Sequence, residues 1–278
     1  MTGSRTRTIF LDVDGTYADH GTVPEVHADA VRAARAAGHR VLLCTGRPVS
    51  MLPDPLLAAG FDGIVASAGA YVSLGGQVVA DVRFPDDLAT RVRHVLDEHD
   101  VAYLLEAPEA VYGPVGVDDR LAARGSAAPR EILDILRMPG DLAAVRFAKI
   151  SYFGARVPIA TLRGLFGPEI GVLPSSYALD AGDTAGEIHL ARVHKAVGIE
   201  AVVDHLGLDR ADVVAVGDGH NDLEMLAYAG TAVAVEGAPA PLLAEADLVV
   251  PGPAGGGVAR AFERLGLLGT ASIAGETA

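Results

Sequence analysis

Thr8-Ile9-Phe10-Leu11-Asp12-Val13-Asp14-Gly15-Thr16 is a short apolar run that ends in an acidic, glycine-containing turn. A run of that length bounded by turn residues reads as a buried strand with chemistry at its C-terminal end. The same rhythm continues outward. Pro24-Glu25 opens a helix through Ala37, closed by Gly38. Arg40-Val41-Leu42-Leu43-Cys44 is a second buried strand, stopped by Thr45-Gly46-Arg47-Pro48, and another helix is expected through Ala59 to Gly60. Gly63-Ile64-Val65-Ala66 is a third strand. Strands and helices alternating in this way imply right-handed crossovers and a parallel sheet.

The rhythm then changes. Ala70 to Leu74, Gly75-Gly76, and Gln77 to Val82 read as a hairpin with a Gly-Gly turn. From Pro85 to Asp183 the pattern is mixed, with helices expected over Asp86–Glu98, Arg130–Leu136 and Val157–Phe166 and extended segments over Val101–Leu105 and Val145–Phe153. The parallel rhythm resumes near Gly186, with a helix from Val193, strands at Val213–Val216 and Thr231–Val235, a last helix from Gly257, and a tail from Thr270. The fold class expected is therefore α/β. A Rossmann-like parallel-sheet core, residues 1–82 and 185–278, is split by an inserted α+β domain, residues 83–184, of about 100 residues, the size of a small domain.

Composition bounds the function. With 22 Lys+Arg against 36 Asp+Glu, the net charge is −14. Such a body repels phosphate backbones and anionic membrane surfaces, so neither nucleic acid nor a membrane is an expected partner. An anionic substrate would need a local cation to reverse the field. The one cysteine, Cys44, rules out an internal disulfide and a cysteine-rich zinc site. With no apolar signal segment near Met1, a cytoplasmic location is expected. Mean hydropathy is +0.31, yet the longest uncharged run, Gly63 to Ala80, contains Gly75-Gly76 and is a poor spanning helix. Composition leaves the oligomeric state open.

Ligands of open α/β sheets bind at the carboxyl ends of strands. Three such ends carry polar groups: Asp12 to Thr16, Thr45-Gly46-Arg47, and Gly217-Asp218-Gly219-His220-Asn221-Asp222. Carboxylates converging there need a cation, and oxygen-only donors point to Mg²⁺ rather than zinc. A calcium loop does not fit, because Gly15 is the fourth residue from Asp12 and Val23 stands at the twelfth position. Each motif alone could be a simple turn; the three together, each at a strand end, are more specific. The only lysines are Lys149 and Lys195. Where arginine supplies every other fixed positive charge, a retained lysine suggests a compact ammonium with a task. Lys195 is expected in the site, and Lys149 could line a face of the insertion toward substrate or snorkel from a sheet edge, the second being favoured.

These motifs, with Lys195 and Gly198-Ile199 between the second and the last, resemble the haloacid-dehalogenase superfamily of phosphatases and most of all its Cof-type branch. The resemblance covers residues 7–82 and 185–268, and the insertion falls where that branch carries an α+β cap. It implies that Asp12 is a nucleophile forming an aspartyl-phosphate, that Asp14 is the general acid and base, and that Lys195 holds Asp12 and the phosphoryl group. It assigns Thr45, Gly46, Arg47 and Asn221 to substrate binding or its bracing. It assigns Mg²⁺ to the Asp12 carboxylate, the Asp14 carbonyl, Asp218 and Asp222. Tyr17 replaces the usual leucine, Ala68 stands where asparagine is common, and Ala196 where glycine is frequent. The function implied is a Mg²⁺-dependent phosphatase acting on a small phosphorylated metabolite such as a sugar phosphate. A sugar phosphomutase and a non-catalytic phosphometabolite-binding regulator remain as alternatives.

Overall fold

In the computed structural model, which describes residues 5–123, 130–174 and 184–269, the chain divides into two units. The first comprises residues 1–46, 53–80 and 194–278, and the second residues 47–52 and 81–193. In chain order the first unit supplies β1 (Thr8–Leu11), β2 (Arg40–Cys44), β3 (Gly63–Ala66), β4 (Tyr71–Leu74) and β5 (Gln77–Asp81). The second supplies β6 (Ala102–Glu106), β7 (Val111–Tyr112), β8 (Leu136–Arg137), β9 (Lys149–Phe153), β10 (Ile170–Pro174) and β11 (Gly186–Leu190). The first unit then resumes with β12 (Val213–Gly217), β13 (Thr231–Val235) and β14 (Leu248–Val250).

The first sheet runs β14-β13-β12-β1-β2-β3-β4-β5. It is parallel from β14 to β3, and the β3–β4 pair is antiparallel. Every residue of β1 is buried, as expected of a parallel strand covered on both faces. Phe10, Leu42, Val65, Val202, Ala215 and Met225 pack into one core. β1 lies between β12 and β2, with Leu11 opposite both Val216 and Leu43. That register sets Asp12, Thr45 and Asp218 at the ends of adjacent strands. The Gly75-Gly76 turn joins β4 and β5 as expected, with φ of +54° and +82°, the left-handed values a two-residue hairpin requires.

The helix expected through Gly60 is shorter than the sequence suggested. It is reduced to a 3₁₀ turn, Val49–Met51, and a single turn, Asp54–Leu57. Pro48, Pro53 and Pro55 withhold the amide donors a longer helix needs and push the residues before them to extended backbone.

The second sheet runs β10-β11-β9-β6-β7-β8, antiparallel from β10 through β7. The return to the first unit comes later than the residue 185 expected. β11 pairs with both β9 and β10, with Ile188 and Leu190 buried on it, and the first unit resumes at His194. β10 was not anticipated, because Gly171 and Pro174 weaken a strand signal. Gly171 is needed there, since a Cβ would fall 2.4 Å from the His189 ring. The tail from Thr270 lies outside the described residues. No helix among the described residues is long and apolar enough to cross a membrane.

Candidate active site

Lys195 begins the helix Lys195–Leu206 and is fully buried. Its ammonium donates to the Asp12 carboxylate and to Asp222 Oδ1, the latter at 2.5 Å. The loop carrying Gly69 is pressed against the start of this helix: a Cβ at Gly69 would lie 2.2 Å from the His194 carbonyl oxygen. Ser67 and Ala68, just before Gly69, adopt left-handed backbone, φ +49° and +54°, a conformation that costs an alanine about 1–2 kcal/mol. Asparagine, common at the Ala68 position in the resembling family, tolerates it better.

The second carboxylate oxygen of Asp222 accepts the amides of Asp218 and Gly219, both at 2.9 Å. Asp218 in turn accepts the Thr16 hydroxyl at 2.7 Å. Gly15, at φ +86°, permits this close approach, because a Cβ there would sit 2.3 Å from an Asp218 carboxylate oxygen. Asp12, Asp218 and Asp222 each offer an oxygen within 4.8 Å of the other two. Burial, reinforced by Asp222, pushes the Asp12 carboxyl well above the ordinary carboxylate range against the pull of Lys195. Burial also raises Asp218, opposed by the Thr16 hydroxyl. Burial would lower Lys195, but Asp12 and Asp222 more than offset it and hold the ammonium charged above its ordinary value. One ammonium therefore serves three crowded carboxyls. The oxygen-only donor set fits a hard divalent cation, whose charge would relieve the crowding. Burial keeps the neighbouring Cys44 thiol neutral, an inert group rather than a nucleophile.

The remaining expected residues are placed as follows. Asp14 is partly exposed in the turn after β1, which the Tyr17 amide closes on the Asp12 carbonyl at 3.2 Å and the Ala18 amide on the Val13 carbonyl at 2.8 Å. The Asp14 carboxylate is outside the three-carboxylate group. Thr45 is buried at the end of β2; its amide donates to the Val65 carbonyl and its own carbonyl accepts the Ala68 amide. Gly46 neighbours Asn221, whose Nδ2 would lie 3.6 Å from a Cβ at Gly46. Arg47 belongs to the second unit, is buried, and donates to the Met51 carbonyl at 3.4 Å.

Two features escaped the sequence reading. Thr16 was inside the first motif without a role, yet its hydroxyl holds Asp218. Lys149 does not snorkel. It is buried in the second sheet between Glu106 at 3.2 Å and Glu187 at 3.0 Å, and Ser151 donates to Glu106. Burial would lower Lys149, but the two glutamates raise it on balance, whereas burial pushes Glu106 up. The partners of Lys149 are on neighbouring strands far away in sequence, so no local pattern announces them.

Residues 9–262 match the haloacid dehalogenase-like hydrolase family. The chain belongs to the haloacid dehalogenase-like hydrolases. Within the family it is of the Cof type, as the four motifs suggested. A Bacillus subtilis (strain 168) protein, YkrA, which carries a provisional phosphatase name, is 27% identical, covering 94% of this chain and 98% of its own. A phosphoglycolate phosphatase of Methanothermobacter thermautotrophicus is also 27% identical, covering 93% of this chain and 98% of its own. Among solved structures, a phosphatase of this superfamily from Bacteroides thetaiotaomicron superposes with a TM-score of 0.78 at 22% identity, covering 94% of this chain and 96% of that one. Those values establish a shared α/β fold. The protein is an enzyme of the phosphoric monoester hydrolase class.

Proposed function

We propose that this hydrolase is a Mg²⁺-dependent phosphatase for a small phosphorylated metabolite, working through a phosphorylated Asp12. The observation that carries the reading is the buried Lys195 ammonium shared by Asp12 and Asp222, beside Asp218. Mg²⁺, held by the Asp12, Asp218 and Asp222 carboxylates with the Asp14 carbonyl, would supply charge neutralisation for the phosphoryl oxygens. Lys195 aims Asp12 and favours its charged form. The Asp12 carboxylate oxygen attacks phosphorus, and the bond from phosphorus to the alkoxide breaks. Asp14 gives its proton to that alkoxide. It then takes a proton from the water that attacks the aspartyl-phosphate, and the phosphorus–Asp12 bond breaks to release phosphate. Thr45, the Gly46 amide and Asn221 position the phosphoryl oxygens, and Arg47 braces the segment after Gly46.

The names of the relatives guide the substrate panel. A solved neighbour at 20% identity is a HAD subclass IIB sugar phosphatase, and several relatives are phosphoglycolate phosphatases. Phosphate release should be measured on phosphoglycolate, hexose phosphates, nucleotides and cofactor phosphates, with Asp12→Asn as the blank. Release from one substrate, lost in the blank and abolished by excess EDTA, supports the proposal. Equal rates in EDTA refute the metal assignment. Turnover only with a sugar bisphosphate present, without net phosphate release, points instead to a mutase.

A further inference from the structure

His27 is fully buried on the helix Glu25–Ala36, away from the carboxylate cluster, yet both of its ring nitrogens are engaged. Nδ1 is 2.9 Å from the Tyr17 carbonyl oxygen, and Nε2 is 3.2 Å from the Val258 amide nitrogen. A carbonyl can only accept and an amide N–H can only donate. The two partners therefore fix one protonation state: hydrogen on Nδ1, a lone pair on Nε2, and a neutral ring. Val258 is the second residue of the helix Gly257–Arg264, where backbone amides lack intrahelical partners and the helix dipole is positive. An imidazolium there would direct a second N–H at a donor, at the positive end of a helix. Burial acts in the same direction and lowers the ring's pKa despite the Tyr17 carbonyl.

The Tyr17 carbonyl belongs to the turn on which the proposed chemistry depends. The Tyr17 amide donates to the Asp12 carbonyl, the next amide, Ala18, donates to Val13, and the Gly15 amide returns to the Ala18 carbonyl. The Tyr17 ring is also held, stacked on His27 at 6.3 Å and edge-on to Phe61 at 5.4 Å. Beyond this turn, the other ring nitrogen of His27 meets the helix Gly257–Arg264 of the first unit.

We propose that His27 is a positioning residue. As a neutral Nδ1–H imidazole it ties the Asp12–Ala18 turn to the N-terminus of the helix Gly257–Arg264, and so fixes where Asp14 stands. The proposal rests on the reading of Asp12 as nucleophile and Asp14 as acid. It touches no substrate atom and acts only through the Tyr17 carbonyl.

Two measurements test it. Long-range ¹⁵N–¹H NMR of the full chain at neutral pH should show the His27 ring neutral and protonated at Nδ1. An Nε2–H tautomer or an imidazolium overturns the bridge whatever the activity. The second test splits the two contacts. An asparagine amide nitrogen reaches the place of Nδ1, whereas a glutamine carbonyl reaches the place of Nε2. His27→Gln should lose the Tyr17 contact and keep the Val258 contact; His27→Asn should do the reverse. If positioning is the role, His27→Gln loses about 10- to 100-fold in kcat on alkyl phosphates, the size expected of a misplacement of order 1 Å. That loss should exceed the loss in His27→Asn at equal thermal stability and be smaller on aryl phosphates. Activity losses that follow melting temperature alike in both variants overturn the proposal in favour of a structural histidine. A wild type inactive on every phosphate would sink the phosphatase reading, and the ring spectrum would still decide the bridge.

Discussion

Replacing Lys195 by methionine keeps a straight apolar side chain, one atom shorter, and removes the ammonium with its charge and its hydrogen bonds to Asp12 and Asp222. In the native protein that charge is fully buried and pairs with both Asp12 and Asp222. The carboxylate oxygens of these residues lie within 4.8 Å of one another. At an effective dielectric of about 20, two unit charges at that separation repel by about 3.5 kcal/mol. This agrees with the ~3–5 kcal/mol typical of breaking a buried ion pair by removing one partner. The cost has a pH signature. Without the ammonium, the Asp12 carboxyl, already raised by burial and Asp222, should rise further above its unfolded value. A carboxyl whose folded pKa is raised binds protons more readily in the folded state. Its destabilising effect is absent below the unfolded pKa, grows as pH rises from the unfolded toward the folded value, and is full above the folded one. The Lys195→Met deficit should therefore be larger at pH 8 than at pH 5. Lys195 itself, raised above its unfolded value by the two carboxylates, titrates only above that range, so the wild type contributes no slope of its own from this group. Thermal and urea unfolding in EDTA at the two pH values measures this. The melting temperature should fall by roughly 7–14 °C at pH 8, taking about 2–4 °C per kcal/mol. A deficit under about 1 kcal/mol, the range of an exposed pair, or one independent of pH, would refute the electrostatic account of this site.

Three further outcomes follow. Asp14→Asn should lose far more turnover on alkyl than on aryl or acyl phosphates, whose leaving groups need less protonation, by about 10²–10⁴-fold on the alkyl substrate; equal losses on all three would remove Asp14 as the acid. Ala68→Gly should stabilise the first unit by about 1 kcal/mol, since the left-handed φ of +54° penalises alanine; an unchanged or lowered urea midpoint would show that the loop is not strained as described. Lys149→Met should destabilise the second unit by about 3–5 kcal/mol by leaving Glu106 and Glu187 buried together; hydrogen exchange of the amides of β6, β9 and β11 would report it, and unchanged protection would contradict the pairing.

The local code of the central strands was readable because nothing competes with it. β1, β2, β3, β12 and β13 are short apolar runs stopped by glycine or polar residues, and burial on both faces makes them so. The Gly75-Gly76 turn was equally legible, since few other pairs accept two left-handed residues in a row. Reading failed where a residue's state is set by a partner elsewhere. β10 exists through its ladder with β11, not through its own composition. The segment after Pro48 looked helical by apolar content, but its prolines overrule that content.

The site divides along the same line. The sequence by itself supplied the candidate residues, Asp12, Asp14, Thr45, Lys195, Asp218 and Asp222, each at a strand or helix end, in an acidic chain with one cysteine and two lysines. That followed because motif residues lie close together in the chain and their backbone context is local. Only the tertiary structure decided that Lys195 touches both Asp12 and Asp222, that Thr16 holds Asp218, that Lys149 is buried between two glutamates, and that His27 joins the Tyr17 turn to Val258. These are contacts between residues mostly dozens to hundreds of positions apart. They are fixed by the order of strands in the two sheets and by the helices packed on them, and no local periodicity encodes that order.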